Sequence, residues 1–192
     1  MKKIAISIIF SLPFLVLTAQ NKFTDTRDGN TYRTITIEGV TWMAENLKYK
    51  PDGIGAFCFD NDPNNIARYG ILYEWKTAVK ACPDGWHLPA GSEFRTLMNH
   101  FELDEEWQNK VSGPISFTIQ LAGMQDHEGT FTEMDESAYF RTSTEYSEND
   151  AEYFSYLIYN GNPVPDISRK EDVQEIHGSE KSNKYSVRCV KN

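Results

Sequence analysis

Alternating polar and apolar positions predict a hairpin near the start of the chain. Residues Thr31–Ile37 alternate in chemical character, as a strand with one buried face does. Glu38 and Gly39 then give a turn signal, and Val40–Met43 resumes the strand pattern. The two runs are therefore expected to pair as a β-hairpin.

A spacing of three to four residues between apolar positions predicts two helices further on. In Leu72–Cys82, this spacing places Val79 and Cys82 on one apolar face, and a Pro-Asp-Gly sequence ends the helix. Ser92 is the expected N-cap of the second helix, Glu93–Phe101. Residues Leu103–Lys110 are expected to add a further helical turn.

The second half of the chain is predicted to form short strands and loops. Residues 161–178 are polar and contain two prolines, so they are expected to be a loop. The chain shows no repeat or linker, which favours one α+β domain. The predicted strands are Phe117–Leu121, Gly129–Phe131, Tyr139–Thr142, Tyr153–Tyr159 and Tyr185–Val190.

The first residues have the pattern of a secretory signal. Lys2 and Lys3 precede an apolar run, and small residues follow it. The run is shorter than the roughly 20 residues that a membrane-spanning helix needs. Cleavage is expected after Ala19, which would leave residues 20–192 as a single secreted or cell-envelope domain. No cysteine follows the run to carry a lipid anchor.

Charge narrows the choice of partners. Removal of Lys2 and Lys3 takes the 19 basic residues to 17 against 28 acidic ones, a net charge of −11. Such a domain repels phosphate backbones and anionic lipids. Nucleic acid and membrane insertion are therefore not expected, and the charge itself favours solubility.

Three cysteines follow the predicted signal: Cys58, Cys82 and Cys189. In an oxidising compartment, the simplest arrangement is one disulfide and one free thiol. Counting alone permits three pairings. The spacing contains no CxxC pair and no zinc-finger pattern.

Several segments together resemble a known family. The blocks WMAENL and CPDGWHLP are the most specific of them. In this order, the pattern resembles the Fibrobacter succinogenes major paralogous domain of secreted and surface proteins in Bacteroidetes and Fibrobacteres, which is similar to C-type lectin-like folds and to formylglycine-generating enzymes. The matching segments are Val40–Leu47, Cys58–Asp62, Tyr69–Trp75, Cys82–Pro89, Thr142–Glu145 and Val187–Val190.

The resemblance implies an architecture and a disulfide. The expected fold is C-type lectin-like: two helices packed on short antiparallel strands, with the terminal strand paired to the N-terminal hairpin around Tyr32. The position of Cys82 at a helix end and of Cys189 on the last strand implies a bond between them. The family often has a partner for Cys58, but Ile66 stands there. Cys58 is then either a buried free thiol or a link to another chain.

Metal and cofactor sites have little support in the sequence. Asp60 and Asp62 could offer oxygen ligands to calcium, but Asn65 and Ile71 depart from the EF-hand pattern. An ordinary turn is the favoured explanation of these residues. The calcium-binding triplets of sugar-binding C-type lectins are missing from the sequence, and its histidines have no metal-ligand spacing. No cofactor is expected.

The sequence gives more support to a ligand-binding surface than to a metal or cofactor site. The segment 139–159 is rich in aromatic residues interleaved with Ser, Thr, Glu and Asn, as binding surfaces are. Alternating aromatics in strands also build cores, and this accounts for most of them. The candidate ligand-binding residues are Tyr146, Glu148, Asn149 and Asp150, together with the loop at 160–178.

The leading hypothesis is a non-enzymatic extracellular binding or adhesion module whose ligand is a glycan or a protein. One alternative is an enzyme of the formylglycine-generating superfamily. Such enzymes need a reactive cysteine pair near the C-terminus, which Cys189 alone does not supply. The other alternative is a purely structural envelope protein.

Overall fold

The computed structural model describes residues 21–53, 55–102, 117, 119–159, 162–167 and 179–192. The predicted signal peptide at 1–19, the helical turn expected at 103–110 and most of the 160–178 loop lie outside these residues. The described part of the chain is mostly β-structure in curled sheets. It contains no helix that is long and apolar enough to cross a membrane.

The described residues form fourteen strands, most of them short. These are β1 (Lys22–Thr24), β2 (Thr31–Ile37), β3 (Val40–Met43), β4 (Ala56–Phe57), β5 (Leu72–Tyr73), β6 (Trp86–His87), β7 (Ala122–Gln125), β8 (Phe131–Met134), β9 (Ser137–Glu145), β10 (Asp150–Tyr159), β11 (Asn162–Ile167), β12 (Ser179–Glu180), β13 (Tyr185–Ser186) and β14 (Val190–Lys191).

Helices are few in the same residues. Two 3-10 turns cover Phe59–Asn61 and Pro63–Asn65. The α-helices are α1 (Ile66–Tyr69), α2 (Trp75–Ala78) and α3 (Gly91–Glu102), of which only α3 is longer than about one turn.

The strands build two sheets. The first has the order β1-β2-β3-β14-β6, so the last strand of the chain lies beside the N-terminal hairpin. The second has the path β11-β10-β9-β13-β5-β4, with β12 paired to β10, and β7 and β8 joined at β9. Helix α3 packs its Phe94 and Leu97 against Phe140 and Phe154 of the second sheet and Trp42 of the first. The core thus lies between the sheets.

Two predicted elements are confirmed. The hairpin β2–β3 pairs Ile37 with Val40 across the predicted turn. Glu38 and Gly39 both have positive φ, at 49° and 78°, which is the backbone that a two-residue hairpin turn requires. Helix α3 lies where the second helix was expected, with Phe94 and Leu97 buried.

The first predicted helix is wrong over most of its length. Leu72 and Tyr73 form strand β5, and the helix is only the single turn α2. Val79 was expected to face the core but is 37% exposed. Ser92 does not cap α3, because that helix begins one residue earlier at Gly91.

Several predicted strand bounds also need correction. Residues 119–121 are not a strand, and the ladder begins only at β7. Within the expected 161–178 loop, β11 pairs with β10. The strand predicted at Tyr185–Val190 is two short strands, β13 and β14. The terminal strand does pair with the N-terminal hairpin, but through Val190 and Trp42 of β3 and not near Tyr32.

The disulfide and the free thiol lie in one core cluster. Cys82 and Cys189 are bonded, with 5.8 Å between their Cα atoms, as the resemblance implied. Cys58 is free and buried, and packs in the same cluster as Cys189. Of the two alternatives for Cys58, the structure shows the buried thiol.

Candidate functional site

A polar cleft of about 590 Å³ opens where three separate segments meet. The turn between β9 and β10 forms one wall, the start of α2 a second, and the segment after β12 a third. We call it the polar cleft. It is lined by Glu74, Lys76, Glu148, Asn149, Asp150, Glu180, Lys181 and Ser182.

Residues 146–149, which we call the hairpin turn, are held by a dense set of hydrogen bonds. The backbone N–H groups of Tyr146 and Ser147 both donate to the Asp150 carbonyl, at 3.1 Å each. The Ser147 hydroxyl donates to Asp150 Oδ2 at 2.8 Å and accepts from the backbone N–H groups of Asn149 and Asp150. The turn is therefore fixed by its own short polar side chains.

Lys181 connects the hairpin turn to the segment after β12 through hydrogen bonds. Its side chain is only 9% exposed, and its ammonium donates to the Ser147 carbonyl at 2.7 Å and to the Glu148 carbonyl at 2.8 Å. It also forms an ion pair with Glu145. The same ammonium lies 4.7 Å from the centre of the Trp75 ring. These acceptors use all three of its protons, so Lys181 shapes the turn and is not a free cation.

Arg141 holds the wall of the cleft that is formed by Glu180 and Lys181. It is fully buried, and its Nη2 donates to the backbone carbonyls of Glu180 at 3.1 Å and Lys181 at 3.3 Å, and also to that of Asn183. Burial lowers the pKa of Arg141 to about 10, although the nearby Glu74 carboxylate opposes this shift. The guanidinium remains charged at neutral pH.

The side chains left for a ligand are on the hairpin turn and the rim. Among the described residues, the side chains of Tyr146, Glu148 and Asn149 make no hydrogen bond or ion pair, while the backbone beneath them is held. On the rim, the Glu180 carboxylate accepts from the Ser182 hydroxyl at 3.2 Å and lies 3.4 Å from His127. The arrangement presents fixed but unengaged polar groups, as a binding site does.

Three of the four candidate binding residues line the polar cleft, and the candidate metal ligands lie outside it. Glu148, Asn149 and Asp150 line the polar cleft, and Tyr146 begins the same turn. Asp62 instead accepts from the backbone N–H and side-chain amide of Asn64, as an ordinary turn residue. Neither Asp60 nor any other described residue belongs to a group of three or more side chains able to hold a metal ion.

The aromatic segment divides between core and surface. Phe140, Phe154 and Tyr156 are buried, as the core interpretation expected. Tyr146 is 45% exposed. Tyr146 is therefore an exposed ring on the hairpin turn, the same turn that carries the cleft residues Glu148 and Asn149.

The sequence did not indicate five of the eight residues that line the cleft. Glu74 and Lys76 were read as part of a long helix, and Lys181 sits in a polar stretch without any periodic pattern. Lys181, for example, contacts Ser147, which is 34 residues away along the chain. Only the folded chain brings them together, and no local signal could have indicated it.

Comparison with known proteins gives one match. A family model described as the Fibrobacter succinogenes major domain matches residues 35–191. Curated proteins and solved structures yield no match to the chain.

Proposed function

The chain belongs to the Fibrobacter succinogenes major domain family, and on this premise we propose that it is a non-enzymatic binding or adhesion module that acts outside the cytoplasm. Its ligand, a glycan or a protein, occupies the polar cleft. The observation that carries this proposal is the hairpin turn, whose backbone is fixed while three of its side chains remain unengaged among the described residues.

Two features support an extracellular setting and a C-type lectin-like architecture. A structural disulfide such as Cys82–Cys189 is typical of oxidising compartments. It also connects the segment after α2 with the stretch before the last strand, as the resemblance to that fold implied. The predicted signal at residues 1–19 agrees with export.

The enzyme alternative has less support. An oxidative enzyme of the formylglycine-generating type needs reactive thiols. Cys189 is already bonded to Cys82, and Cys58 is 4% exposed within an apolar cluster. A buried thiol in such surroundings is a poor nucleophile.

The test is a binding experiment with a cleft variant. The chain without residues 1–19 is immobilised and screened against a glycan array and against extracellular proteins of its source. We expect at least one ligand, retained by the variant Asp84→Asn and lost by Glu148→Lys. Asp84 is exposed in the turn before β6, a strand of the other sheet. Both variants must melt like the parent.

The outcomes separate the three functions. Binding that depends on Glu148 supports the proposal. Ligand that binds equally well to Glu148→Lys would place recognition elsewhere on the molecule. Absence of any ligand would favour the structural envelope protein, and chemical conversion of a captured ligand would favour the enzyme.

A further inference from the structure

We propose that the polar cleft binds a neutral glycan, with one sugar ring stacked on Tyr146 and its hydroxyls bonded to Glu148 and Asn149. This inference rests on the proposed function and specifies its ligand. It follows from three properties of the site: an exposed ring, unengaged hydrogen-bonding groups and an excess of carboxylates.

Tyr146 supplies the apolar part of the site. It is 45% exposed, and the only other large apolar side chain of the described residues that is comparably exposed is Val79 at 37%. Its backbone N–H is bonded to the Asp150 carbonyl, so the main chain that carries the ring is held in place. A flat, rigid ring beside polar groups fits a pyranose, which has an apolar C–H face and polar edges.

Glu148 and Asn149 supply the polar part. A carboxylate accepts two hydroxyl protons, and an amide both donates and accepts, so together they satisfy neighbouring hydroxyls of a sugar. Neither side chain makes a hydrogen bond to another described residue, so binding a sugar breaks no hydrogen bond within the site. Because the backbone of the turn is already ordered, little backbone entropy is lost on binding.

The charge of the cleft decides between classes of glycan. Glu74, Glu148, Asp150 and Glu180 line it, against Lys76 and Lys181, and Lys181 is already paired with Glu145. Uronic-acid and sulfated glycans would bring further negative charge to these carboxylates and be repelled. Neutral sugars satisfy the same oxygens through hydroxyl donors.

The test compares glycan classes and Tyr146 variants. The chain without residues 1–19 is applied to an array of neutral, uronic-acid and sulfated glycans. We expect binding to neutral glycans only. Tyr146→Ala should weaken it about tenfold and Tyr146→Phe less than about threefold, since stacking needs the ring and not the hydroxyl. Asn149→Ala should also weaken it, whereas Asp84→Asn should not.

Salt dependence separates the remaining explanations. Affinity for a neutral glycan should be nearly constant between about 0.05 and 0.5 M salt, because no ion pair forms. Binding to anionic glycans only, or equal affinity of Tyr146→Ala and parent, would overturn the inference. So would a captured basic protein whose Glu148-dependent binding weakens in salt, although that result would leave the binding module intact. Failure to bind any glycan or protein would reject both.

Discussion

Arg188 shows how one buried charge organises several segments. It is fully buried, and its Nη2 donates to Asn46 Oδ1 at 2.7 Å and to Gln120 Oε1 at 2.6 Å. The guanidinium lies 4.2 Å from the centre of the Phe117 ring. Asn46 in turn donates to the Tyr69 carbonyl at 2.9 Å. A guanidinium suits this position because its fixed fork reaches several acceptors at once.

The variant Arg188→Ala should lower the free energy of unfolding by about 3–5 kcal/mol, because it leaves a cavity and removes this donor from the buried Asn46 amide oxygen and the partly buried Gln120 one. Chemical denaturation of the parent and variant measures the difference. The matched control is Arg68→Ala. The ion pair of Arg68 with Asp135 is exposed, and its loss should cost less than about 1 kcal/mol. Equal costs for the two variants would contradict the role given to Arg188.

At the scale of elements, Lys181 controls the order of the hairpin turn. The variant Lys181→Met keeps an apolar stem near Trp75 but removes the donor to the carbonyls of Ser147 and Glu148. It should therefore destabilise the turn by about 1–3 kcal/mol. Hydrogen exchange at the amides of Asn149 and Asp150 should accelerate accordingly.

Lys76→Met is the matched control for that experiment. Lys76 lines the same cleft but is exposed, so its loss should leave exchange in the hairpin turn unchanged. Unchanged exchange in Lys181→Met as well would show that the serine and aspartate of the turn hold it without help.

Local sequence patterns correctly predicted hairpin β2–β3 and helix α3, because the residues of these elements themselves favour that structure. Hairpin β2–β3 has β-rich strands and a two-residue turn with positive φ, and α3 carries an apolar stripe. Leu72 and Tyr73 also fit a helical spacing, but pairing with β4 and β13 makes them a strand. Tertiary pairing of this kind outweighs local propensity.

Strand β11 was missed for a different reason. Pro163 and Pro165 indicated a loop, yet both lie in β11 opposite β10. The strand is at the edge of its sheet, where a residue without an N–H is tolerated. Likewise, composition indicated candidate residues in Tyr146–Asp150, whereas Glu74 and Lys181 come beside them only through the fold.

The response of the whole molecule to alkali follows from its buried tyrosines. Burial raises the pKa of Tyr32, Tyr73 and Tyr139 above the ordinary value of 10.0. Below pH 10, these hydroxyls are protonated in both folded and unfolded chains. Above it, the unfolded chain loses protons that the folded chain keeps, so stability falls as pH rises.

Two buried arginines have the opposite effect on the pH dependence of stability. Burial lowers the pKa of Arg188 to about 9 and that of Arg141 to about 10. In the folded chain they lose protons that the unfolded chain keeps up to about pH 12.5, which raises stability with pH in that window. Burial also raises the pKa of Tyr69 and Tyr156. The tyrosines therefore outnumber the two arginines, and stability should fall above pH 10.

Denaturation at pH values from 8 to 12 checks the sign. We expect nearly constant stability up to about pH 9, then a decline above about pH 10, each uncompensated proton contributing about 1.4 kcal/mol per pH unit. Tyr73→Phe removes one of these tyrosine hydroxyls and should make the decline shallower. An unchanged slope in that variant would show that Tyr73 does not contribute to it.

The disulfide joins Cys82, in the middle of the chain, to Cys189, just before the last strand. It connects residues 107 positions apart, and Cys189 lies beside the terminal strand that completes the first sheet. In the chain-entropy model, closing a loop of this length stabilises the folded chain by about 4–5 kcal/mol. That is a large part of the about 5–15 kcal/mol by which domains are usually stable. The double variant Cys82→Ala, Cys189→Ala should therefore melt well below the parent.

Cys58→Ala is the control, because Cys58 is buried in the same cluster but closes no loop. Removing its sulfur leaves only a small cavity, at a cost of about 1 kcal/mol. Peptide mapping without reduction should recover Cys82 joined to Cys189 and Cys58 as a free thiol. If Cys58→Ala lowered the melting temperature as far as the double variant does, packing around the sulfurs and not closure of the chain would be the stabilising factor. A bridge that contained Cys58 would contradict the pairing itself.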